Sequence, residues 1–185
     1  MIYALINRPK INNAAIDKIR SKYDPNFKLI GPHVTLVFPF KADKINLLEL
    51  EAHIEKVSKR IKSFTVHFHK LQLAWDQILI LTPTTGKREF DQIHDELYEG
   101  MLKEFFRGDI EFLPHITLGY FGQAGSKYDP KDPTSVPLDK EKYNTAISQT
   151  KEDDLNFSYT VDSIELISAT DDATSSQSIK VFNLA

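Results

Sequence analysis

A short motif that occurs twice in this chain has the residue types needed for acid–base chemistry. The string Pro-His-x-Thr-Leu contains His33 and Thr35 in its first copy, and His115 and Thr117 in its second. Both copies lie in apolar, β-branched stretches, which favour strands. Side chains two residues apart on a strand share a face, so each histidine lies beside its threonine. Two such pairs facing each other would supply two proton-transfer groups and two hydroxyl donors, a set that suits a phosphodiester.

The doubling of the motif favours catalysis over a structural role. A single copy would be explained best by a buried structural histidine, but coincidence would have to explain both copies. The reference pKa of histidine is about 6.5, so one ring can accept a proton at neutral pH while the other donates one. Either ring can serve as the base, depending on the orientation of the substrate. The alternative is a pair that binds phosphate without turnover.

Further residues are candidates for binding the substrate, namely Tyr3, Arg8, Phe38, Lys41, Trp75 and Tyr120. The aromatic members could stack on a base, and the two cations could neutralise a phosphate. Phe38 and Tyr120 follow the motif histidines by five residues, an odd offset that turns them to the same face only if the strand bulges. Each candidate also has a structural interpretation, as core packing for an aromatic ring or as a surface charge for a cation.

Composition excludes several classes of protein. The chain has 185 residues, 41% of them hydrophobic, which fits one domain with a packed core. Its net charge of −3 argues against a long duplex as partner. The absence of cysteine excludes disulfides and thiolate metal sites, and no apolar run approaches the ~20 residues of a membrane span. We therefore predict a soluble cytoplasmic protein without metal or cofactor; the paired His67 and His69 find no third ligand at convincing spacing.

Hydrophobic periodicity predicts the elements that must position the motifs. The predicted strands cover residues 2–6, 33–38, 64–73, 78–82, 115–121, 159–167 and 179–184. The predicted helices cover residues 12–22, 47–61, 87–106 and, as a shorter element, 139–150. The order favours an α+β fold, a bilobal pseudo-twofold duplication with two mainly antiparallel sheets and flanking helices around a central cleft.

The domain prediction is a single domain over residues 1–185 with a polar insertion or lid at about 122–156. Lys127 and Lys131 within that segment are additional candidates for binding a phosphate. His53 and His94 flank the apolar stripes of predicted helices, and we expect both at the surface.

The doubled motif resembles the signature of the 2H phosphoesterase superfamily, which consists of two His-x-Thr/Ser-x motifs. The closer likeness is to the branch of 2′-5′ RNA ligases and cyclic-nucleotide phosphodiesterases. It rests on residues 33–38 and 115–118, with similar strands at 64–73 and 161–166. Some members carry an arginine just after the second motif, where this chain has Gly119-Tyr120, and the compact members are unlike this chain at 122–156.

The resemblance implies a bilobal fold with both motifs in a central cleft, and a metal-independent phosphodiesterase. The implied substrate is a nucleotide or short RNA with a terminal 2′,3′-cyclic phosphate or a 2′-5′ linkage, with RNA ligation as the reverse reaction. His33 and His115 would be the acid and base, and Thr35 and Thr117 would bind the phosphate oxygens. The alternatives are a non-catalytic module that binds RNA ends or nucleotides, and a phosphoesterase acting on a non-nucleotide cyclic phosphate.

Overall fold

The predicted alternation of strands and helices is present in the computed structural model, which describes residues 1–12, 14–41, 43, 45–123, 136–150, 152–172 and 174–185. The strands are β1 (Ile2–Asn7), β2 (Val34–Lys41), β3 (Phe64–Ala74), β4 (Ile78–Thr85), β5 (Ile116–Tyr120), β6 (Phe157–Val161), β7 (Ser163–Ala169) and β8 (Ser176–Asn183). The helices are α1 (Ala14–Tyr23), α2 (Leu47–Ser58), α3 (Lys87–Leu97) and α4 (Lys140–Gln149).

These strands form one antiparallel sheet in the order β6-β3-β4-β5-β2-β1-β7-β8. The α+β class with antiparallel strands is confirmed, but the strands form one continuous sheet where two were predicted. The difference arises at the centre, where β2 and β5 pair through Val34 and Ile116. This one residue pair joins the inner edges of the two halves into a single sheet.

The two halves of the sheet repeat one arrangement around the motif strands. One half contains β2, β1, β7 and β8, and the other contains β5, β4, β3 and β6. Helix α1 connects β1 to β2 but contacts β5, and α3 connects β4 to β5 but contacts β2. Each connecting helix therefore packs on the motif strand of the opposite half, which holds the halves together.

The apolar faces of the helices pack against the sheet in the main core. Their buried side chains follow a spacing of three or four residues, as in Leu50, Ile54 and Val57 of α2. Burying such a side chain stabilises the fold by about 1.5–3 kcal/mol. Ala4 and Ile6 alternate with core residues on β1 and belong to a separate, smaller cluster on the opposite face.

Three local features differ from the prediction. The helix predicted over residues 87–106 ends at Leu97, because Gly100 adopts a left-handed φ of 66° and a 3-10 helix, Gly100–Phe105, follows. The strand predicted over 159–167 is divided at Asp162 into β6 and β7. Finally, each motif histidine precedes its strand by one residue.

The expectation of a surface position is wrong for His94. Its side chain is buried, its Nδ1 lies 2.8 Å from the carbonyl oxygen of Leu36, and its ring stacks on Phe112 with centroids 3.8 Å apart. The ring thus ties α3 to the first motif strand. His53 is half-buried and lies 2.9 Å from the carbonyl oxygen of Leu97.

The described part of the predicted insertion packs beside the second motif strand. Helix α4 occupies the predicted position, and Tyr143 contacts the ring of Phe121 edge-on, with centroids 5.5 Å apart. Lys127 and Lys131 lie outside the described residues, so the lid remains a prediction. In the described ranges, no helix combines the length and apolar character that a membrane crossing requires.

Candidate active site

The pairing of β2 with β5 sets the geometry of the site. The two strands are antiparallel, and Val34 lies opposite Ile116. Extending this register by one residue in each direction places the histidine of each motif opposite the threonine of the other. Val34 and Ile116 are fully buried in the main core. Because side chains alternate along a strand, the histidines and threonines point to the other face.

The four motif side chains, His33, Thr35, His115 and Thr117, form what we term the motif quartet. Residues directly opposite on antiparallel strands have Cβ atoms about 4.5–5.5 Å apart, and diagonal neighbours are about 7–8 Å apart. The two imidazoles are diagonal neighbours on one face of the sheet. His33, Thr35 and Thr117 line a cavity of about 300 Å³ on this face.

The backbone holds both imidazoles in the same way. Nδ1 of His33 lies 2.9 Å from the carbonyl oxygen of Gly31, and Nδ1 of His115 lies 2.6 Å from that of Leu113. A carbonyl oxygen only accepts hydrogen bonds, so Nδ1–H donates in both rings. In the neutral ring Nε2 therefore carries the lone pair and can accept a proton.

Burial lowers the pKa of both imidazoles. The pKa of His33 falls to about 4, chiefly because burial disfavours the charged ring, and the charges of Arg20, Arg8 and His115 lower it further. Burial also lowers the pKa of His115, and in both rings the hydrogen bond to the backbone opposes the shift. Both rings are therefore mainly neutral at pH 7 before an anion binds.

Both motif strands contain an extra residue at the same place. In β2 the extra residue is Leu36, which has no partner on β1. In β5 the extra residue is Leu118, which has no partner on β4. Such bulges increase the local twist and redirect the side chains that follow. Tyr120 pairs with Ile78, and Thr117 pairs with the residue two positions further along β4. Residues two apart on β4 share a face, so their partners Tyr120 and Thr117 also lie on the same face.

Two aromatic candidates lie on the His115 side of the quartet. Trp75 occupies the turn between β3 and β4, and its ring lies edge-on to the imidazole of His115, with centroids 5.5 Å apart. Tyr120 is half-buried at the end of β5. Trp75 is thus in contact with the quartet, while Tyr120 follows it on the same face.

The other two aromatic candidates pack mainly against the protein itself. Phe38 lies outside the cavity lining, and its ring is edge-on to that of His94, with centroids 6.3 Å apart. Tyr3 is buried in the main core, edge-on to Phe40, and also contributes to the cavity wall. The pairing of β1 with β2 has a second register shift next to Phe38. There the neighbouring Pro39, and not Phe38, lines the cavity.

The two predicted cations occupy different positions. Arg8 follows β1 at the level of His33, and its Nε lies 2.6 Å from Oε2 of Glu165. Its charge reaches the quartet, since it contributes to the lowered pKa of His33. Lys41 is exposed at the end of β2, paired with Ile2, and does not line the cavity.

Sequence reasoning missed Arg20, a buried cation in the wall of the same cavity. It falls four residues after the inward-facing Ile16 and four before Asp24, with which it forms a buried ion pair. A charged residue on the apolar stripe of a helix, with an opposite charge four residues later, was the signal that could have found it.

The second histidine pair, His67 and His69, lies on β3, with ring centroids 6.2 Å apart. Nε2 of His67 is 2.7 Å from Oδ1 of Asn156. Over the described stretches of the chain, no three His, Asp or Glu side chains are grouped as ligands for a metal ion.

An antiparallel α+β fold with two His-x-Thr motifs at its centre is the arrangement of a 2H phosphoesterase. The model of the 2′-5′ RNA ligase superfamily matches residues 8–173, and the chain belongs to this family. The resemblance inferred from the motifs is therefore confirmed.

Two relatives support the phosphoesterase class. A protein of Bacillus licheniformis named "Putative phosphoesterase" is 30% identical over 121 residues, which cover 64% of this chain and 70% of the relative. A protein of Geobacillus kaustophilus with the same designation is 28% identical over 165 residues, which cover 86% of this chain and 82% of the relative.

Solved structures share the fold. LigT of E. coli complexed with 3′-AMP has a TM-score of 0.57 and 18% identity, covering 100% of this chain and 99% of LigT. TT0787 of Thermus thermophilus has a TM-score of 0.65 and 14% identity, covering 100% and 98% of the two chains.

Proposed function

We propose that this protein is a metal-independent phosphodiesterase that hydrolyses 2′,3′-cyclic phosphates or 2′-5′ bonds in nucleotides or short RNA. The observation that carries the proposal is the motif quartet at the junction of β2 and β5. Both imidazoles are anchored to the backbone through Nδ1, and each faces the threonine of the other motif. The quartet thus supplies an acid, a base and two hydroxyl donors without any further group.

The two imidazoles would act on opposite sides of the phosphorus. The neutral ring accepts a proton from water through Nε2 while the water oxygen forms a bond to phosphorus. The charged ring donates its proton to the ribose oxygen as the bond between that oxygen and phosphorus breaks, which leaves a phosphomonoester. Thr35 and Thr117 donate hydrogen bonds to the non-bridging oxygens. RNA ligation would use the same two rings with a hydroxyl of a second RNA end in place of water: one ring accepts the hydroxyl proton as its oxygen bonds to phosphorus, and the other protonates the oxygen whose bond to phosphorus breaks.

Substrate binding would itself supply the acid. Both rings have a lowered pKa in the free protein, and the negative charge of a bound phosphodiester favours the charged form of a nearby imidazole. One proton taken up with the substrate is enough for the mechanism. The neutral form of both imidazoles is therefore favoured until an anion enters the site.

The cavity wall beside the quartet suits a nucleoside. Ala4, Ile6, Ile30 and Ile167 make part of this wall apolar, and apolar walls with a few polar groups are typical of small-molecule sites. LigT of E. coli has been solved with 3′-AMP, with NADP+ and with ATP, which supports nucleotides as ligands of this chain.

The proposal predicts that His33→Ala and His115→Ala each lower kcat about 10²–10⁴-fold, the usual contribution of a positioned acid or base. The measurement is hydrolysis of 2′,3′-cyclic AMP, with the product followed by phosphorus NMR and folding checked by circular dichroism. His67→Ala is the matched control, because this histidine lies on β3 and bonds to Asn156 outside the quartet. Wild-type turnover in both motif variants would refute the mechanism.

One observation favours a second candidate, a module that binds nucleotides or RNA ends without turnover. Burial lowers the pKa of both imidazoles in the free protein, so the charged form that an acid needs is disfavoured before binding. This candidate predicts tight binding of a cyclic nucleotide and no product after prolonged incubation. A panel that includes a sugar-derived cyclic phosphate would separate both candidates from an esterase for a non-nucleotide substrate.

A further inference from the structure

Arg20 has an unsatisfied buried donor and lines the cavity beside three members of the motif quartet. Its side chain is 2% exposed, and the residue lines the cavity together with His33, Thr35 and Thr117. Its Nη1 is buried and has no hydrogen-bond partner among the described residues. A buried donor without a partner is unfavourable, and an acceptor atom of a ligand in the cavity would complete it.

The rest of the guanidinium is fixed by the protein. Nε donates to Oδ2 of Asp24 at 2.8 Å, and Nη2 lies 2.7 Å from the same oxygen. Nη2 also donates to the carbonyl oxygen of Ile30 at 2.7 Å, and the group lies 5.9 Å from the centroid of the Phe27 ring. These contacts leave Nη1 as the guanidinium nitrogen without a hydrogen bond to any described residue.

We propose that Nη1 of Arg20 binds a non-bridging oxygen of the substrate phosphate, and that Asp24 and the carbonyl of Ile30 position the guanidinium for this contact. The inference rests on the proposed function and adds the cation that the quartet lacks. Threonine hydroxyls are neutral donors, whereas hydrogen bonds from a guanidinium to phosphate are charge-assisted and stronger. A guanidinium that is already oriented needs no reorganisation when negative charge builds up on the phosphate.

The position of Arg20 relative to His33 supports the contact. The positive charge of Arg20 is one of the causes of the lowered pKa of His33, ahead of the charge of Arg8. Arg8 is less suited to the role, because its Nε is bound to Glu165 and 39% of its side chain is exposed. Arg20 therefore has a larger electrostatic effect on His33 than Arg8 has, and its side chain is less exposed to water.

The first test removes the buried charge pair as a unit. In the double variant Arg20→Gln/Asp24→Asn no buried charge is left unpaired and the net charge is unchanged. We expect its affinity for inorganic phosphate, measured by calorimetry, to fall about 10- to 100-fold. Its KM for 2′,3′-cyclic AMP should rise while the circular dichroism spectrum is unchanged. The matched control is Lys18→Gln, an exposed charge on the same helix, which should keep wild-type affinity.

The second test needs no variant. Nitrogen-15 NMR of the wild-type protein should show the Nε–H signal of Arg20 shifting on titration with inorganic phosphate, with the Kd obtained from the ring signals of His33. An unchanged Arg20 signal while the His33 signals saturate would overturn the inference. Wild-type phosphate affinity in the folded double variant would do the same and would assign the ion pair a purely structural role.

The outcomes also separate this inference from the proposed function. If His33→Ala and His115→Ala abolish turnover but the double variant keeps wild-type kcat/KM, the function stands and the role of Arg20 fails. If phosphate binding depends on Arg20 but the wild-type protein hydrolyses no cyclic phosphate, the anion site stands and the phosphodiesterase fails.

Discussion

At the scale of single residues, the two motif histidines have matching environments. Each imidazole donates Nδ1–H to a carbonyl oxygen two residues earlier in the chain, and burial lowers the pKa of each. They differ in their surroundings, because Arg20 and Arg8 act on His33, whereas Trp75 lies against His115. The duplicated motif thus provides two similar proton-transfer groups in a site that is asymmetric around them.

The lowered pKa values predict how activity depends on pH. The profile of kcat/KM reports the acid and base of the free protein, and both rings titrate below their ordinary value of about 6.5. The charged form of the imidazole, which serves as the acid, becomes rarer as pH rises. We therefore expect kcat/KM to be highest below pH ~6.5 and to fall about tenfold per pH unit above it. Hydrolysis of 2′,3′-cyclic AMP between pH 4 and 8 at constant ionic strength measures this; a rate that climbs towards pH 8 would contradict it.

The quartet could be predicted from the sequence because the period of a strand is a local property. His33 and Thr35 share a face in any strand, and the doubled motif indicates that two such pairs meet. The placement of Phe38 and Tyr120 could not be predicted, because it depends on bulges that appear only in the register with neighbouring strands. Arg20 was missed because its position marks it as part of the core, and only the tertiary structure brings it to the cavity.

At the scale of elements, the crossed packing of α1 and α3 determines how the site is held. Helix α1 leads into the first motif strand but packs against the second, β5. The contact is close at Gly119, where an added Cβ atom would lie 2.6 Å from Cβ of Tyr23. Glycine at this position therefore allows α1, and with it Arg20, to approach the sheet.

Gly119→Ala should weaken the packing of α1 on β5. The added methyl group forces the helix and strand apart, and overpacking of this kind costs about 1–3 kcal/mol. The free energy of unfolding in urea measures the loss. Gly108→Ala is the control, because its nearest neighbour is the exposed ring of Phe106, which can move aside. Equal stability of the two variants would show that the close approach is not a constraint.

The elements themselves were largely predictable, and their ends and pairings were not. Periodic apolar residues identified α2 and the two motif strands near their observed bounds. The prediction that α3 continues to residue 106 was wrong, because the left-handed backbone of Gly100 interrupts a pattern that is otherwise helical. The single sheet was missed because strand pairing between distant segments leaves no local pattern in the sequence.

At the scale of the whole molecule, the site belongs to neither half alone. One half provides His33 and Thr35, the other provides His115 and Thr117, and the halves meet where Val34 pairs with Ile116. A phosphate bound by the quartet would therefore contact both halves across their junction. Ligand binding and the integrity of the fold are linked by this arrangement.

Phosphate should consequently stabilise the protein against unfolding. At a concentration 100 times its Kd, a ligand that binds only the native state adds about 2.7 kcal/mol to the free energy of unfolding. For a chain of this size the increase corresponds to a rise in Tm of roughly 5–10 °C. Differential scanning calorimetry measures it, and His33→Ala should reduce the response. Sulfate at the same concentration is the salt control. If the Tm of His33→Ala rises as much as that of the wild type, the rise is a general salt effect.

The single register that joins the halves has a practical consequence. A slip of one residue between β2 and β5 would turn the histidine and threonine of one motif into the apolar core and expose the apolar residues of that strand, because strand faces alternate. A molecule with the wrong register would therefore be inactive as well as unstable. The fraction of a refolded preparation that binds phosphate would measure how many molecules have the correct register between the two halves.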